Sequence, residues 1–296
     1  MIEGINLAAA PISWGVCEVP GWGEMLDAER VLREMSNLGL TATELGPVGY
    51  LGYEPSAIKH LVGEFGLTVL GGFVPLVLHD AAQWAATEVE ARDVAARYAA
   101  TGATKFVTAV VVDNDWSEPM KLSDDQWEHL IWALARIDEI CAEFGMVQVL
   151  HPHVGTLIET ASDINRVLAD SSVKWCLDTG HLTIGGVNVV DFAKTYGDRV
   201  GIVHLKDVRM EFAPAILNRS LSLLDAARRG IFCSLGDGDV PIAAVIKELD
   251  RQGYDGWYVL EQDMTIDTPA DAERPVKAVA RSLAYLEREL VNAGSN

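Results

Sequence analysis

The chain alternates short apolar runs with helical stretches along almost its whole length, and this alternation constrains the fold most strongly. Eight apolar runs are predicted to be strands: Ile5–Ala10, Thr41–Leu45, Leu67–Phe73, Lys105–Val112, Met146–Leu150, Val173–Leu177, Val200–Leu205 and Gly256–Leu260. Strands that are joined through helices pair in parallel, so their carboxyl ends meet at one edge of the sheet. The sequence therefore predicts an α/β protein in which residues that follow different strands become neighbours.

The stretch from Lys174 to Lys206 is the clearest of these units. Two apolar runs flank a helical stretch at Val189–Tyr196. The first run leads into Asp178, and the second run contains His204 near its end. Because a crossover helix brings both strand ends to the same edge, we expect these two side chains to lie close together.

Eight strand-helix alternations without a linker favour a single (β/α)8 TIM barrel over residues 1–296, with a longer loop insertion at about 207–239. A length of 296 residues fits such a barrel as one domain. The alternative is an open doubly wound sheet. That fold usually carries a glycine-rich phosphate loop after its first strand, and PISWGVCEVP is not such a loop.

The acidic composition excludes several classes of partner. The formal net charge is −20 and the pI is about 4.6, so the surface repels polyanions. We therefore expect no nucleic acid and no anionic membrane as a partner. A small-molecule polyol or keto-sugar fits better. Paired barrel helices would allow a homo-oligomer, although no motif specifies one.

The cysteines and the N-terminal segment favour a cytoplasmic protein. The four cysteines are scattered without CxxC spacing, which predicts reduced thiols, with Cys141 and Cys176 buried. The segment MIEGINLAAA has no basic region ahead of an apolar core, so no signal peptide is expected. No apolar run approaches the roughly 18 residues that a membrane-spanning helix needs.

Ionisable residues cluster at the predicted carboxyl ends of the strands, where the active site of a (β/α)8 barrel lies. They are Glu44, His151, His153, Asp178, His181, His204, Lys206 and Glu261. Carboxylates combined with imidazoles suit Mn²⁺, Co²⁺, Mg²⁺ or Zn²⁺. The absence of a thiolate from this set argues against a closed structural zinc site.

Each residue also has a purely structural interpretation. Asp178 precedes Thr-Gly and could simply cap the next turn. Glu261 could lie where a buried strand meets water, and Glu44 could form an ion pair at the rim. However, five strands that all end in ionisable groups are hard to explain this way, because burying unpaired charge costs several kcal/mol. The convergence favours a metal site.

Lys206 and two tryptophans also allow two interpretations each. Lys206 could contact a substrate oxygen or transfer a proton, or it could form an ion pair with Asp207 or Glu261. Trp14 and Trp22 could line a sugar-sized pocket, or they could pack within a loop, which is the commoner role of aromatic residues.

Several motifs resemble those of a known superfamily. The segments HPHVGTLIET, WCLDTGH, VHLKDVR, GDGDVP and YDGWYVLEQD resemble the xylose-isomerase-like barrels grouped as sugar phosphate isomerases/epimerases. Within that superfamily they are most similar to the inosose dehydratases of myo-inositol catabolism. Weaker matches are found in APISWG and TELGPVGY, so the resemblance covers roughly the whole barrel.

The resemblance implies one divalent metal ion, with Mn²⁺ or Co²⁺ preferred over Mg²⁺ or Zn²⁺. Asp178, His204 and Glu261 match three ligand positions of the superfamily. His151 occupies the place of a fourth ligand, which is a glutamate in the ketose epimerases. It resembles instead the histidine-rich HHHxGT form of the inosose dehydratases.

The resemblance also implies roles around the metal. His153, His181 and Lys206 would contact the substrate, and Glu159 would orient a neighbouring residue. Independently of the resemblance, the candidates for binding the substrate are Glu44, Trp14 and Glu159. For an elimination, Glu261 or Lys206 would be the base, and His153 or His181 would be the acid.

Four functions compete. An epimerase of this type needs a proton acceptor on each face of an enediolate, and His151 in place of one glutamate removes that symmetric pair. The sequence therefore favours a metal-dependent lyase that dehydrates a cyclic keto-polyol. A keto-sugar isomerase or epimerase is the second hypothesis. A repair endonuclease would need a basic groove, which the charge of −20 disfavours. A binding protein without activity is the fourth.

Overall fold

The computed structural model describes residues 5–291, so the first four residues of the N-terminal segment lie outside it. Eight parallel strands close into a barrel, and the prediction of a TIM barrel is confirmed. These strands are β1 (Asn6–Ala9), β2 (Ala42–Glu44), β3 (Thr68–Leu76), β4 (Lys105–Val110), β5 (Val147–Leu150), β6 (Trp175–Asp178), β7 (Val200–Leu205) and β10 (Trp257–Leu260). Their order around the barrel is β1-β10-β7-β6-β5-β4-β3-β2.

Helices connect the strands and cover the barrel. They are α1 (Ala28–Asn37), α2 (Pro55–Glu64), α3 (Trp84–Thr101), α4 (Asp124–Glu143), α5 (Ala161–Asp170), α6 (Thr179–Ile184), α7 (Val189–Tyr196), α8 (Ala213–Leu217), α9 (Leu223–Arg228), α10 (Ile242–Arg251) and α11 (Arg274–Val291). Short 3₁₀ turns lie at Pro11–Trp14, Gly197–Arg199, Met210–Phe212 and Pro269–Glu273. Among residues 5–291, no helix is both long and apolar enough to cross a membrane.

Local signals place the helix ends. Asp27 accepts a hydrogen bond from the backbone N–H of Arg30 and so begins α1. Ser123 and Gln126 form a capping box at the start of α4. Gly102 ends α3 in the left-handed conformation, with φ of 94°. Residues next to each helix end therefore determine where these three ends lie.

Two of the differences from the sequence prediction lie close to the carboxyl ends of the strands. Strand β3 continues past Phe73 to Leu76, because its last residues pair with β4 as far as Val110. The sequence prediction ended this strand too early because Pro75 lowers strand propensity. The structure also contains α6, which was not predicted, immediately after Asp178.

Two apolar layers hold the barrel together. The interior of the barrel is filled by small and branched residues, with Ala8, Ala42, Cys176 and Ile202 among them. A larger cluster fills the space between the strands and the helices. The four cysteines are free, and Cys141 and Cys176 are buried as predicted.

The insertion between β7 and α10 contains α8, α9 and a short antiparallel ladder formed by β8 (Asp207–Val208) and β9 (Phe232–Cys233). The Asp207 carboxylate accepts four backbone hydrogen bonds, at 2.8–3.1 Å. The donors are the N–H groups of Val208, Gly236, Gly238 and Val240. One buried side chain therefore ties the start of the insertion to its end.

Candidate metal centre and active site

Four strands bring one metal-binding side chain each to a single point. Asp178 ends β6, His204 lies in β7, and His151 and Glu261 directly follow β5 and β10. One possible ligand atom from each of the four lies within 4.8 Å of those of the other three. The Glu261 side chain is 13% exposed, and the other three are at most 1% exposed. We call these four residues the ligand group.

The ligand group contains buried polar atoms without hydrogen-bond partners among the described residues. They are both ring nitrogens of His151, Oδ2 of Asp178, Nδ1 of His204 and Oε2 of Glu261. Buried polar groups in proteins are almost always paired, and a buried carboxylate without a partner is costly. A divalent cation among these atoms would satisfy them, and imidazole and carboxylate suit Mn²⁺, Co²⁺ and Zn²⁺. The residues therefore fit a metal ion.

Asp178 uses its two oxygens for different purposes. Oδ1 accepts a hydrogen bond of 2.7 Å from the backbone N–H of His181 and begins α6. Oδ2 lies 3.3 Å from Nε2 of His151 and 4.0 Å from Nδ1 of His204. The capping interpretation and the metal-ligand interpretation of Asp178 are therefore compatible in one side chain.

His204 and Glu261 share the other side of the ligand group. Nδ1 of His204 lies against Oε2 of Glu261, while Nε2 of His204 lies 2.9 Å from Oε1 of Glu44. Burial alone would lower the pKa of His204, but Cys176, Glu261 and Glu44 outweigh it and raise that pKa well above its usual value. Burial would raise the pKa of Glu261, but His204 and Lys206 hold it well below its usual value.

Lys206 is buried beside the ligand group, with its side chain 1% exposed. Its Nζ lies 2.8 Å from Oδ1 of Asp263, and 3.7 Å from both Glu261 and Asp178. Burial opposes the charged form, but these three carboxylates outweigh it and raise the pKa of Lys206 above its usual value. The ion pair with Glu261 is therefore present, together with a pair to Asp263 that the sequence analysis did not identify.

Two further histidines stand next to each other, with the ring centres of His153 and His181 4.0 Å apart. Nδ1 of His153 lies 2.6 Å from the carbonyl oxygen of Val154. A carbonyl only accepts hydrogen bonds, so Nδ1 carries the proton and Nε2 keeps its lone pair. Burial, followed by the neighbouring His151 and Lys206, lowers the pKa of His153 to about 3.

His181 faces an N–H donor at each ring nitrogen. The backbone N–H of Val154 lies 3.3 Å from Nδ1, and Nζ of Lys206 lies 3.1 Å from Nε2. Burial and the neighbouring His153 lower the pKa of His181 well below its usual value, so the ring is neutral. Because a neutral imidazole keeps one N–H, His181 accepts a hydrogen bond from only one of these two donors.

Two aromatic residues that the sequence analysis missed complete the surroundings. Phe73 packs edge-on against His151, with ring centres 5.6 Å apart, and is stacked with Trp116. Trp116 in turn packs against His153 and is 39% exposed. It has a φ of 57°, which is uncommon for a residue other than glycine. Phe73 is the last residue of the third predicted strand, and this position is the sequence signal that indicates its place at the site.

Glu159 and Trp14 lie outside the ligand group. The carboxylate of Glu159 accepts hydrogen bonds of 2.9 and 2.5 Å from Arg219 of the insertion. Trp14 is fully buried in the outer apolar cluster, and its indole N–H donates to Glu34 at 2.8 Å. The indole N–H of Trp22 donates to the backbone oxygen of Met264, so the indole N–H groups of both tryptophans are bonded within the protein.

Comparison with known proteins identifies similar chains. The model of the family described as "Xylose isomerase-like TIM barrel" matches residues 32–288. An inosose dehydratase from Geobacillus kaustophilus is 31% identical over 285 residues, which cover 90% of this chain and 91% of the relative.

Two solved structures share the fold. The probable 3-DHS dehydratase AsbF from Bacillus anthracis superposes with a TM-score of 0.71 at 17% identity, covering 95% of this chain and 99% of the other. The IOLI protein with a bound zinc atom superposes with a TM-score of 0.72 at 13% identity, covering 96% of this chain and 99% of the other.

Proposed function

Because the chain belongs to the xylose isomerase-like TIM barrel family, we propose that it is a metal-dependent dehydratase of a cyclic keto-polyol, with an inosose as the substrate class. The observation that carries the proposal is the asymmetry of the site. Lys206 lies on one side of the ligand group among three carboxylates, and His153 presents an unprotonated Nε2 nearby. A proton donor and a proton acceptor of different chemistry suit an elimination.

The metal part of the proposal rests on the ligand group. Its four residues would hold one divalent cation, and the zinc atom in the IOLI protein gives a precedent within the fold. The cation would supply Lewis-acid stabilisation of the negative charge that develops on a ketone oxygen. Its identity among Mn²⁺, Co²⁺, Mg²⁺ and Zn²⁺ is a question for metal analysis.

The acid-base roles follow from the hydrogen bonds. Nε2 of His153 takes the proton from the carbon next to the ketone, and the electron pair of that C–H bond forms the enolate. The C–O bond to the β-hydroxyl then breaks, and its oxygen keeps the electron pair and takes a proton from the Lys206 ammonium group. Water leaves and an enone remains.

These roles differ from those expected from the sequence. Lys206 was a candidate base and His153 a candidate acid, but three carboxylates around Nζ favour the ammonium form of Lys206. His181 accepts a hydrogen bond from Lys206 when Lys206 is charged, so it would hold the ammonium group in place. Glu261 is kept as a metal ligand only.

The keto-sugar epimerase is the second candidate, and the ligand group disfavours it. An epimerase that works through an enediolate needs a carboxylate base on each face of the substrate. Within the ligand group, the carboxylates are those of Asp178 and Glu261. Asp178 already gives Oδ1 to the first turn of α6, which leaves Glu261 alone for such a role.

The test combines metal analysis with a product assay. The purified protein is analysed for bound metal and then incubated with scyllo-inosose and Mn²⁺ or Co²⁺. We expect bound metal, the loss of one water from the substrate and an ultraviolet-absorbing enone. Asp178→Asn should lose both metal and product, while its retained amide oxygen can still accept the N–H of His181 and preserve the start of α6. Bound metal with an isomeric product would instead support the epimerase.

A further inference from the structure

A hydrogen bond across the mouth of the barrel connects Glu44 to the metal ligand His204. Oε1 of Glu44 lies 2.9 Å from Nε2 of His204, and the residues are 4% and 1% exposed. Glu44 ends β2 and His204 lies in β7, and these strands are not neighbours, since β1 and β10 lie between them. The contact therefore passes over the barrel interior and does not follow from strand pairing.

The backbone around Glu44 is irregular at this point. Thr43 pairs with Val69 of β3, whereas Glu44 pairs with Gly71, so Leu70 is an extra residue on β3. Bulges of this kind change the direction of side chains and are common next to active sites. Thr43 is also tied to the neighbouring strand through a hydrogen bond of 3.2 Å from its hydroxyl to the carbonyl oxygen of Ala9. Glu44 is thus held by ordered backbone on both sides.

The hydrogen bond determines which nitrogen of His204 carries a proton. An ionised carboxylate only accepts hydrogen bonds, so Nε2 of His204 must be the donor to Glu44. In a neutral ring, Nδ1 then keeps its lone pair, and Nδ1 is the nitrogen next to Oε2 of Glu261 and 4.0 Å from Oδ2 of Asp178. Glu44 therefore directs the free lone pair of His204 into the ligand group.

We propose that Glu44 is a positioning residue that fixes the tautomer and orientation of His204 for metal binding, and that it does not bind the substrate. This inference rests on the metal-binding part of the proposed function. It replaces the sequence expectation that Glu44 contacts the substrate. A carboxylate behind a ligating imidazole also makes the ring a better donor, and losing such a partner typically weakens metal affinity about 10- to 100-fold.

The test measures metal affinity without using enzymatic activity. Metal-free wild-type protein and the variants Glu44→Ala and Glu44→Gln are titrated with Mn²⁺ at constant pH, and electron paramagnetic resonance measures the free ion. We expect about 10- to 100-fold weaker binding for Glu44→Ala. Glu44→Gln should be weakened as well, because its neutral amide can also donate to Nε2 and so stabilise the wrong tautomer.

The matched control is Thr87→Val on α3, which changes another buried residue whose hydroxyl donates only to a backbone oxygen, that of Val77. Its Mn²⁺ affinity should equal that of the wild type. A second readout is the ¹⁵N NMR spectrum of the Zn²⁺-loaded wild type, which should show a protonated Nε2 and an unprotonated Nδ1 on His204. If Glu44→Ala does not fold, Glu44→Gln together with this spectrum decides the question.

The outcomes separate the two proposals. A wild-type protein that binds no Mn²⁺ and no Zn²⁺ would overturn the metal-dependent function and this inference together. A wild type that binds metal, with equal affinity in both Glu44 variants, would overturn the positioning role alone. A proton on Nδ1 of His204 in the Zn²⁺-loaded protein would do the same.

Discussion

Nζ of Lys206 lies 2.8 Å from Oδ1 of Asp263, and both side chains are at most 3% exposed. Burial raises the pKa of Asp263 to about 6, even though Lys206 acts in the opposite direction. Each partner therefore favours the charged form of the other, against burial, which disfavours both charges. Asp263 is the nearest of the three carboxylates that favour the ammonium form of Lys206.

The Lys206–Asp263 pair can be tested through stability. Asp263→Asn in the metal-free protein should lower the free energy of unfolding by about 3 kcal/mol, the lower end for breaking a buried ion pair, because Glu261 and Asp178 still face the ammonium group. Urea unfolding measures this change. The double variant with Lys206→Met should cost less than the sum of the two single variants. If the losses in unfolding free energy of the two single variants simply add in the double variant, Lys206 and Asp263 are not energetically coupled.

The acid-base roles can be separated by isotope exchange. In ²H₂O, NMR follows the replacement of the proton next to the ketone of scyllo-inosose. His153→Gln should slow both exchange and dehydration by about 100-fold or more while Mn²⁺ affinity stays the same. The double variant Lys206→Met with Asp263→Asn, which removes the charges together, should retain exchange and lose dehydration. Exchange that survives in His153→Gln would assign the base elsewhere.

Asp138 on α4 gives a prediction for the pH dependence of stability. Burial raises the pKa of this carboxyl from 3.8 to about 6. A folded-state pKa above the unfolded value means that the contribution to stability is fully present below pH 4 and is lost as the pH rises through 6. Asp138→Asn should therefore stabilise the protein at pH 7.5 and have little effect at pH 4.

The size of the Asp138 effect is limited by its partial exposure. The full difference in pKa would correspond to about 3 kcal/mol. Solvent screening of a half-buried group reduces this to about 1 kcal/mol. Thermal unfolding at the two pH values measures the difference, with Glu128→Gln at an exposed site of the same helix as the control. A stabilisation that is equal at both pH values would contradict burial as the cause.

The Arg219–Glu159 ion pair connects the insertion to the loop after β5. Arg219 has a φ of 62°, and the Glu159 carboxylate also accepts the backbone N–H of Gly155 at 2.9 Å. Arg219→Ala should make the insertion around α8 more sensitive to limited proteolysis and lower the turnover, because this loop also carries His153. Arg281→Ala, which breaks an exposed pair with Asp237, is the control and should leave both unchanged. Unchanged proteolysis in Arg219→Ala would show that the ion pair with Glu159 does not hold the insertion in place.

The convergence of ionisable residues at one end of the barrel could be predicted from the sequence because it depends on topology, whereas the choice of the ligand group among them came from the family resemblance. Because the strands are parallel, the residues at the carboxyl ends of β5, β6 and β10 converge with His204. This convergence does not depend on how the individual side chains pack. The signal for the start of α4 is local, because Ser123 and Gln126 form the capping box within four residues. Short-range patterns and strand order were thus sufficient to predict these positions.

Side-chain partners across the barrel could not be predicted in this way. The Glu44–His204 hydrogen bond depends on strand closure and on a bulge in β3, neither of which has a sequence signal. Trp14 lies in a loop rich in glycine and proline, where no periodicity indicates the direction of a side chain. Asp263 could have been added to the candidate residues, because it follows Glu261 by two residues in the loop after β10.

Asp207 has a consequence for protein engineering. Its carboxylate joins the backbone of Val208 to that of Gly236, Gly238 and Val240, so the two stems of the insertion are fixed to each other next to Lys206. The segment between the stems can then be treated as an exchangeable cassette, since closing a loop of different length costs little extra entropy. Libraries that vary residues 210–231 and keep Asp207 and Arg219 would explore new substrate contacts without moving the ammonium group.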